Sequence, residues 1–102
     1  VSLTGKQKRH LRALGNPLDP VVRTGKDGLD EGVVAALDRA LEQHELVKVK
    51  LGANTPEDRD ELAALLSAQT RSEIAQVMGG TVLLYRARKK DPVIVLPTSK
   101  GA

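Results

Sequence analysis

Val21-Val22-Arg23-Thr24-Gly25-Lys26-Asp27-Gly28-Leu29-Asp30-Glu31-Gly32-Val33 is the stretch from which the rest of the chain can be laid out. The β-branched Val21 and Val22 belong to a short strand, predicted over Pro20 to Arg23. Gly25-Lys26-Asp27-Gly28 comes next as a loop, and Asp30 caps a helix that runs to about His44. Val33, Val34, Leu37, Ala40 and Leu41 give that helix one apolar stripe. The loop has two readings. Glycines lack Cβ and let a phosphate approach the main chain, the helix N-terminus adds unpaired N–H groups, and Lys26 stands between the glycines as a mobile point charge. On the other reading it is only a strand-to-helix turn, which suits Asp27, Asp30 and Glu31, since each repels an anion.

Upstream, Thr4-Gly5-Lys6-Gln7 matches a capping box. The helix it opens turns Leu11 and Leu14 inward and Lys8, Arg9 and Arg12 largely outward, and it stops near Gly15-Asn16-Pro17. Downstream, Leu46 to Leu51 alternates, with Val47, Val49 and Leu51 on one face and Leu46, Lys48 and Lys50 on the other, so the strand is expected to be half buried. Gly52-Ala53-Asn54 turns the chain, and Thr55-Pro56-Glu57-Asp58 opens a third helix with Leu62, Leu65, Leu66 and Gln69 as its inner edge. Glu73 to Met78 and Thr81 to Arg86 are strands joined by the hairpin signal Gly79-Gly80. Arg88 to Asp91 is polar; Pro92 to Pro97 is extended and expected to dock as an edge strand or ordered tail, and Thr98 onward should fray. The order α-β-α-β-α-β-β predicts an α/β fold, one domain over residues 1–97, with helices packed on a four-stranded mixed sheet.

At 102 residues the chain has room for one modest core, and that core must be aliphatic because Tyr85 is the only aromatic residue. There is no cysteine, which excludes disulfides and thiolate chemistry. His10 and His44 lie in different helices without a metal-ligand partner three or four residues away, and the acidic block Glu57, Asp58, Asp60 and Glu61 reads as a solvated first turn. The phosphate-loop, nucleophile-elbow and dinucleotide fingerprints are missing. We therefore expect no enzyme, no cofactor, no metal and no small-molecule substrate. No run resembles a signal peptide or is long enough to span a bilayer, so a cytoplasmic protein without a membrane partner is expected.

The net charge of +3 is modest, but its distribution is not even. Lys6, Lys8, Arg9 and Arg12 crowd the N-terminus, Arg86, Arg88, Lys89 and Lys90 crowd the other end, and the acidic block lies between them. Such polarity suits a polyanion. Readers of single strands stack bases on aromatic rings, which one tyrosine cannot provide. Recognition of structured RNA through backbone and shape suits this composition better, much as KH domains clamp a nucleotide backbone with a G-x-x-G loop. The candidate contacts are Gly25, Lys26, Asp27 and Gly28 in the loop, Lys6, Lys8, Arg9 and Arg12 on the first helix, and Arg23, Lys48, Lys50 and Arg86 on the strands.

Four stretches then carry a resemblance: Leu3-Thr4-Gly5-Lys6-Gln7-Lys8-Arg9, Gly25-Lys26-Asp27-Gly28-Leu29, His44-Glu45-Leu46-Val47-Lys48-Val49-Lys50 and Leu83-Leu84-Tyr85-Arg86. Together they resemble the CRM domain (chloroplast RNA splicing and ribosome maturation) in its free-standing bacterial YhbY-type form, from Leu3 to Pro97. The resemblance implies a fold similar to the C-terminal domain of translation initiation factor three. It also implies RNA binding and association with ribosomal RNA in precursors of the large subunit; a monomer is expected. Plant relatives with CRM domains act in group II intron splicing. Two positions depart from the family pattern: Gly80, where relatives often carry a basic residue, and Asp27, an acid inside the loop. The competing expectation is a protein-interaction module that docks on ribosomal proteins or assembly factors, its basic face incidental.

Overall fold

The computed structural model describes residues 3–25, 30–52 and 56–88 together with Pro92 and Ile94; of Pro56 and Glu57 only the backbone is described. Thr4 begins the first helix as its capping box requires. Its hydroxyl accepts the Gln7 N–H at 3.1 Å, and the Gln7 side-chain oxygen accepts the Thr4 N–H at 3.0 Å. Helix α1 spans Gly5–Gly15, and the Asn16 N–H closes it on the Arg12 carbonyl. Strand β1 is Val22–Arg23, shorter than the expected Pro20 to Arg23. Pro20 has no N–H to give to a ladder, and on that side a bond from Val21 N–H to the Lys48 carbonyl extends the pairing. Helix α2 spans Glu31–His44, with the Asp30 carboxylate accepting the Val33 N–H at 2.8 Å. Strand β2 (Leu46–Lys50), helix α3 (Pro56–Thr70) and the hairpin β3 (Glu73–Met78) and β4 (Thr81–Tyr85) complete the order that the sequence predicts. Gly79 supplies the positive φ, +57°, that the two-residue turn needs.

The sheet order is β1-β2-β4-β3, with β1 parallel to β2 and the other pairs antiparallel. Helix α2 is the crossover between the parallel strands. After α3 the chain goes to the outer strand β3 and returns as β4 into the middle. Val47, Val49, Val82 and Leu84 form the floor on which Leu37 and Leu41 of α2 and Leu62 and Leu66 of α3 pack.

Leu14 of α1, expected to face inward with Leu11, is 42% exposed, and three further expectations change. Leu65 and Gln69 are not on the inner edge of α3: Leu65 is 42% exposed and Gln69 is exposed, while Ala63 and Thr70 are buried. The true stripe is Leu62, Leu66 and Thr70 at i, i+4 and i+8. Thr70 can be interior because its hydroxyl donates to the Leu66 carbonyl at 2.7 Å and shares a hydrogen bond with the Ser72 hydroxyl. Strand β2 is buried on more than one face, because α1 lies on the opposite side of the sheet. There Leu11 packs with Leu46, Ala75, Leu83 and Tyr85, and Ile94 joins them. The third change is a bulge in β3. Ile74 pairs with Leu84 and Gln76 with Leu83, leaving Ala75 as an extra residue. The bulge reverses the facing of the strand beyond it, so Gln76 and Met78 share the α1 face with Leu83 and Thr81. Of the expected Pro92 to Pro97 segment only Pro92 and Ile94 are described; the remainder and the tail from Thr98 lie outside the described residues.

Candidate nucleic-acid interface

The glycine loop leaves the sheet at a point that is held firmly. Thr24 donates its N–H to the Lys50 carbonyl at 2.9 Å, and its hydroxyl accepts the Gly52 N–H at 2.7 Å. Gly52 lies flat against this stem: a Cβ there would be 2.6 Å from the Gly25 carbonyl oxygen and 2.7 Å from that of Thr24. Gly25 is different. It is exposed, its φ is outside the left-handed region, and a Cβ on it would meet nothing within 4 Å. The described structure therefore gives Gly25 no conformational or packing need to be glycine; the missing side chain instead leaves main chain bare at the surface. Lys26, Asp27 and Gly28 lie outside the described residues. At the far end of the loop the Asp30 carboxylate already occupies a donor of the α2 N-terminus, and Glu31 stands in the first turn. That helix end is a poor seat for an anion, so a phosphate would have to be held by the loop and by cations.

The cations are supplied by the strand register and by α1. Arg23 and Lys50 are paired across β1 and β2, and both are exposed. Lys48, half-buried, lies on the same side of β2 as Leu46, and Leu46 packs under Leu11 of α1. The α1 face of the sheet therefore carries all three. Helix α1 adds Lys6, Lys8, Arg9 and Arg12, all exposed, and holds no acidic residue. Exposed Glu31, Asp38, Glu42, Asp58, Asp60 and Glu61 sit on α2 and α3, across the sheet.

Arg86, expected at the end of the last strand, lies just past β4, and the fold takes it elsewhere. Its guanidinium donates to the Asp38 carboxylate at 2.7 Å, the Thr70 carbonyl at 2.8 Å, the Asp38 carbonyl at 3.0 Å and the Glu42 carboxylate at 3.3 Å. It ties α2 to the end of α3 on the acidic side, with its side chain 20% exposed. Tyr85, the only Phe, Tyr or Trp residue in the chain, is buried, so no large aromatic ring is offered at the surface for stacking. Burial, and secondarily the charge of Glu45, pushes its hydroxyl above the usual tyrosine range.

Two residues that position this surface escape a reading of the sequence. Gly52 looks like any turn glycine, and only the fold brings it against Thr24 and Gly25. Glu45, at the C-terminus of α2, is buried with φ +63°. Its carboxylate accepts the Arg88 N–H at 3.0 Å and the Ile94 N–H at 2.9 Å. Neither residue belongs to a motif whose spacing names its partner.

The family model for the CRS1 / YhbY (CRM) domain matches residues 3–86. The chain is 39% identical over 95 residues to "Probable RNA-binding protein YqeI" of Bacillus subtilis, covering 93% of this chain and 99% of that one. It is 43% identical over 90 residues to "Probable RNA-binding protein PA4753" of Pseudomonas aeruginosa, covering 88% and 86% of the two chains. Among solved structures, SAV1595 of Staphylococcus aureus superposes with a TM-score of 0.84 at 45% identity, over 93% of this chain and 99% of that one. With its sequence matched from the first helix to the last strand and its three-helix, four-stranded architecture shared with that structure, the chain belongs to the CRS1/YhbY (CRM) domain family.

Proposed function

We propose that this is a non-catalytic RNA-binding protein that recognises structured ribosomal RNA and assists assembly of the large ribosomal subunit, acting as a cytoplasmic monomer. One observation carries the reading: Arg23, Lys48 and Lys50 share a face with the cationic helix α1, beside the stem of the glycine loop. The names of the two relatives, each a "Probable RNA-binding protein", support the same partner. Gly25 and Gly28 bare the main chain to the RNA backbone, Lys26 adds a point charge, and the sheet and α1 cations widen the footprint. Arg86, engaged by Asp38 and Glu42, belongs to the scaffold instead.

Binding to a ribosomal RNA fragment as a function of salt tests this. The affinity should fall steeply with salt, and Lys26→Ala should reduce the magnitude of the log–log slope by roughly 0.7 to 0.9, one phosphate contact. Asp27→Asn removes a charge that opposes the anion and should tighten binding. Sequencing of RNA crosslinked in cells should recover large-subunit ribosomal RNA. Salt-insensitive binding to a ribosomal protein, with no affinity for RNA, would replace this reading with the protein-docking one.

A further inference from the structure

Helix α1 covers only part of its face of the sheet. It ends at Gly15, whose missing side chain lets it rest on Leu83, and a Cβ there would be 2.6 Å from Leu83 Cδ2. The chain then turns, with the Leu18 N–H on the Gly15 carbonyl at 2.9 Å. Two cross-strand rows mark the sheet surface at and beyond the helix end: Lys48, Leu83 and Gln76, then Arg23, Lys50, Thr81 and Met78. Gln76 and Met78 belong to these rows only because of the bulge at Ala75. At the end of α1 a recess of about 80 Å³ opens, walled by Asn16, Lys48, Gln76, Met78 and Thr81, with Leu83 at its floor.

The groups around it are uncommitted. The Gln76 side-chain nitrogen leans on Met78 Sδ at 3.8 Å, leaving its amide oxygen without a protein partner among the described residues. The side chains of Asn16, Thr81 and Lys48 likewise make no hydrogen bond among the described residues. Two amides, each with donor and acceptor edges, a hydroxyl and an exposed thioether surround a space that admits the edge of one flat ring.

We infer that this recess takes one unpaired nucleobase of the bound RNA. Asn and Gln amides read base edges because they offer a donor and an acceptor side by side. Met78, 64% exposed, supplies the flexible, polarizable apolar surface that an aromatic residue would otherwise provide. Arg23 and Lys50 in the outer row are placed to hold the flanking phosphates. A phosphate itself fits the recess poorly, because the carbonyl end of α1 carries partial negative charge. Side chains cannot read the deep, narrow major groove of a paired RNA helix, so the base must be a bulged or looped one. The inference rests on the RNA-binding reading and adds base recognition to it.

The test uses a short RNA hairpin with one bulged nucleotide, made with each of the four bases, and the same hairpin fully paired. The intact protein should bind at least one bulged hairpin about tenfold more tightly than the paired one. Gln76→Ala and Asn16→Ala should each cut that ratio by about threefold or more without changing affinity for the paired hairpin. Lys50→Ala should weaken both hairpins by the same factor. In nuclear magnetic resonance spectra the side-chain amides of Asn16 and Gln76 should shift with the bulged hairpin alone. Equal affinity for bulged and paired hairpins, or a ratio that survives both amide deletions while Lys50→Ala still weakens binding, overturns this inference and leaves the RNA-binding reading intact. No binding of either hairpin at low salt overturns both.

Discussion

The buried carboxylate of Glu45 accepts the N–H of Ile94 at 2.9 Å, joining the end of α2 to a residue 49 positions later in the chain. Its second oxygen takes the Arg88 N–H, and the Glu45 carbonyl takes the Arg86 N–H at 2.8 Å. Holding a non-glycine residue at φ +63° costs on the order of 1–3 kcal/mol, and the hydrogen bonds that converge on Glu45 offset it. Glu45→Ala should therefore destabilise the domain by about 2–4 kcal/mol. Hydrogen exchange at the Arg88 and Ile94 amides should accelerate. A variant as stable as the parent, with both amides still protected, would show that Glu45 does not anchor this segment.

Gly25 and Gly52 should separate loop chemistry from loop support. A Cβ at position 52 collides with two backbone carbonyls that cannot swing aside. Gly52→Ala should cost about 1–3 kcal/mol and weaken RNA binding by displacing the loop stem. Gly25→Ala meets nothing, so stability should stay within roughly 0.5 kcal/mol. If the bare main chain at Gly25 contacts RNA, affinity should nonetheless fall. Denaturant titrations paired with RNA affinities for both proteins check this. Equal behaviour of the two variants in both measurements would remove the distinction.

The close contact between Gly15 and Leu83 sets how α1 seats on the sheet. Gly15→Ala adds helix propensity of up to about 1 kcal/mol, but its Cβ would overlap both terminal carbons of the buried Leu83. Overpacking of about 1–3 kcal/mol should win. Pairing it with Leu83→Val should recover part of the loss, so a double-mutant cycle on urea stabilities should show coupling. Strict additivity would mean that the two residues do not touch in solution.

Tyr85 makes stability depend on alkaline pH. Its folded-state pKa is raised, by burial first and by Glu45 second, so the native state holds that proton more tightly than the unfolded chain does. Its contribution is fully present below the unfolded value near 10 and is lost as pH rises through the folded pKa. Tyr85→Phe should lack this loss, and the stability difference between the two proteins should shrink above that pH. Because no other ring absorbs, tyrosinate absorbance reports the titration directly. A midpoint at or below 10 would contradict the buried environment.

The elements and their order are legible in the sequence alone. Capping residues Thr4 and Asp30, the alternation from Leu46 to Lys50 and the Gly79-Gly80 turn are local signals, and local hydrogen bonding and side-chain period suffice to read them. The cations of the candidate surface are legible there too. Only the closed sheet settles which of them meet. Arg23 and Lys50 share a face because a parallel register pairs them, whereas Arg86 is drawn to Asp38 and Glu42 on the far side. Thr70 lies inside and Leu65 outside because the position of α3 on the sheet, not side-chain polarity, chose its buried stripe. The bulge at Ala75 carries no sequence mark, yet it moves Gln76 and Met78 to the face with Lys48. Partners tens of residues apart come together only when the whole sheet closes, and no period or short motif encodes that meeting.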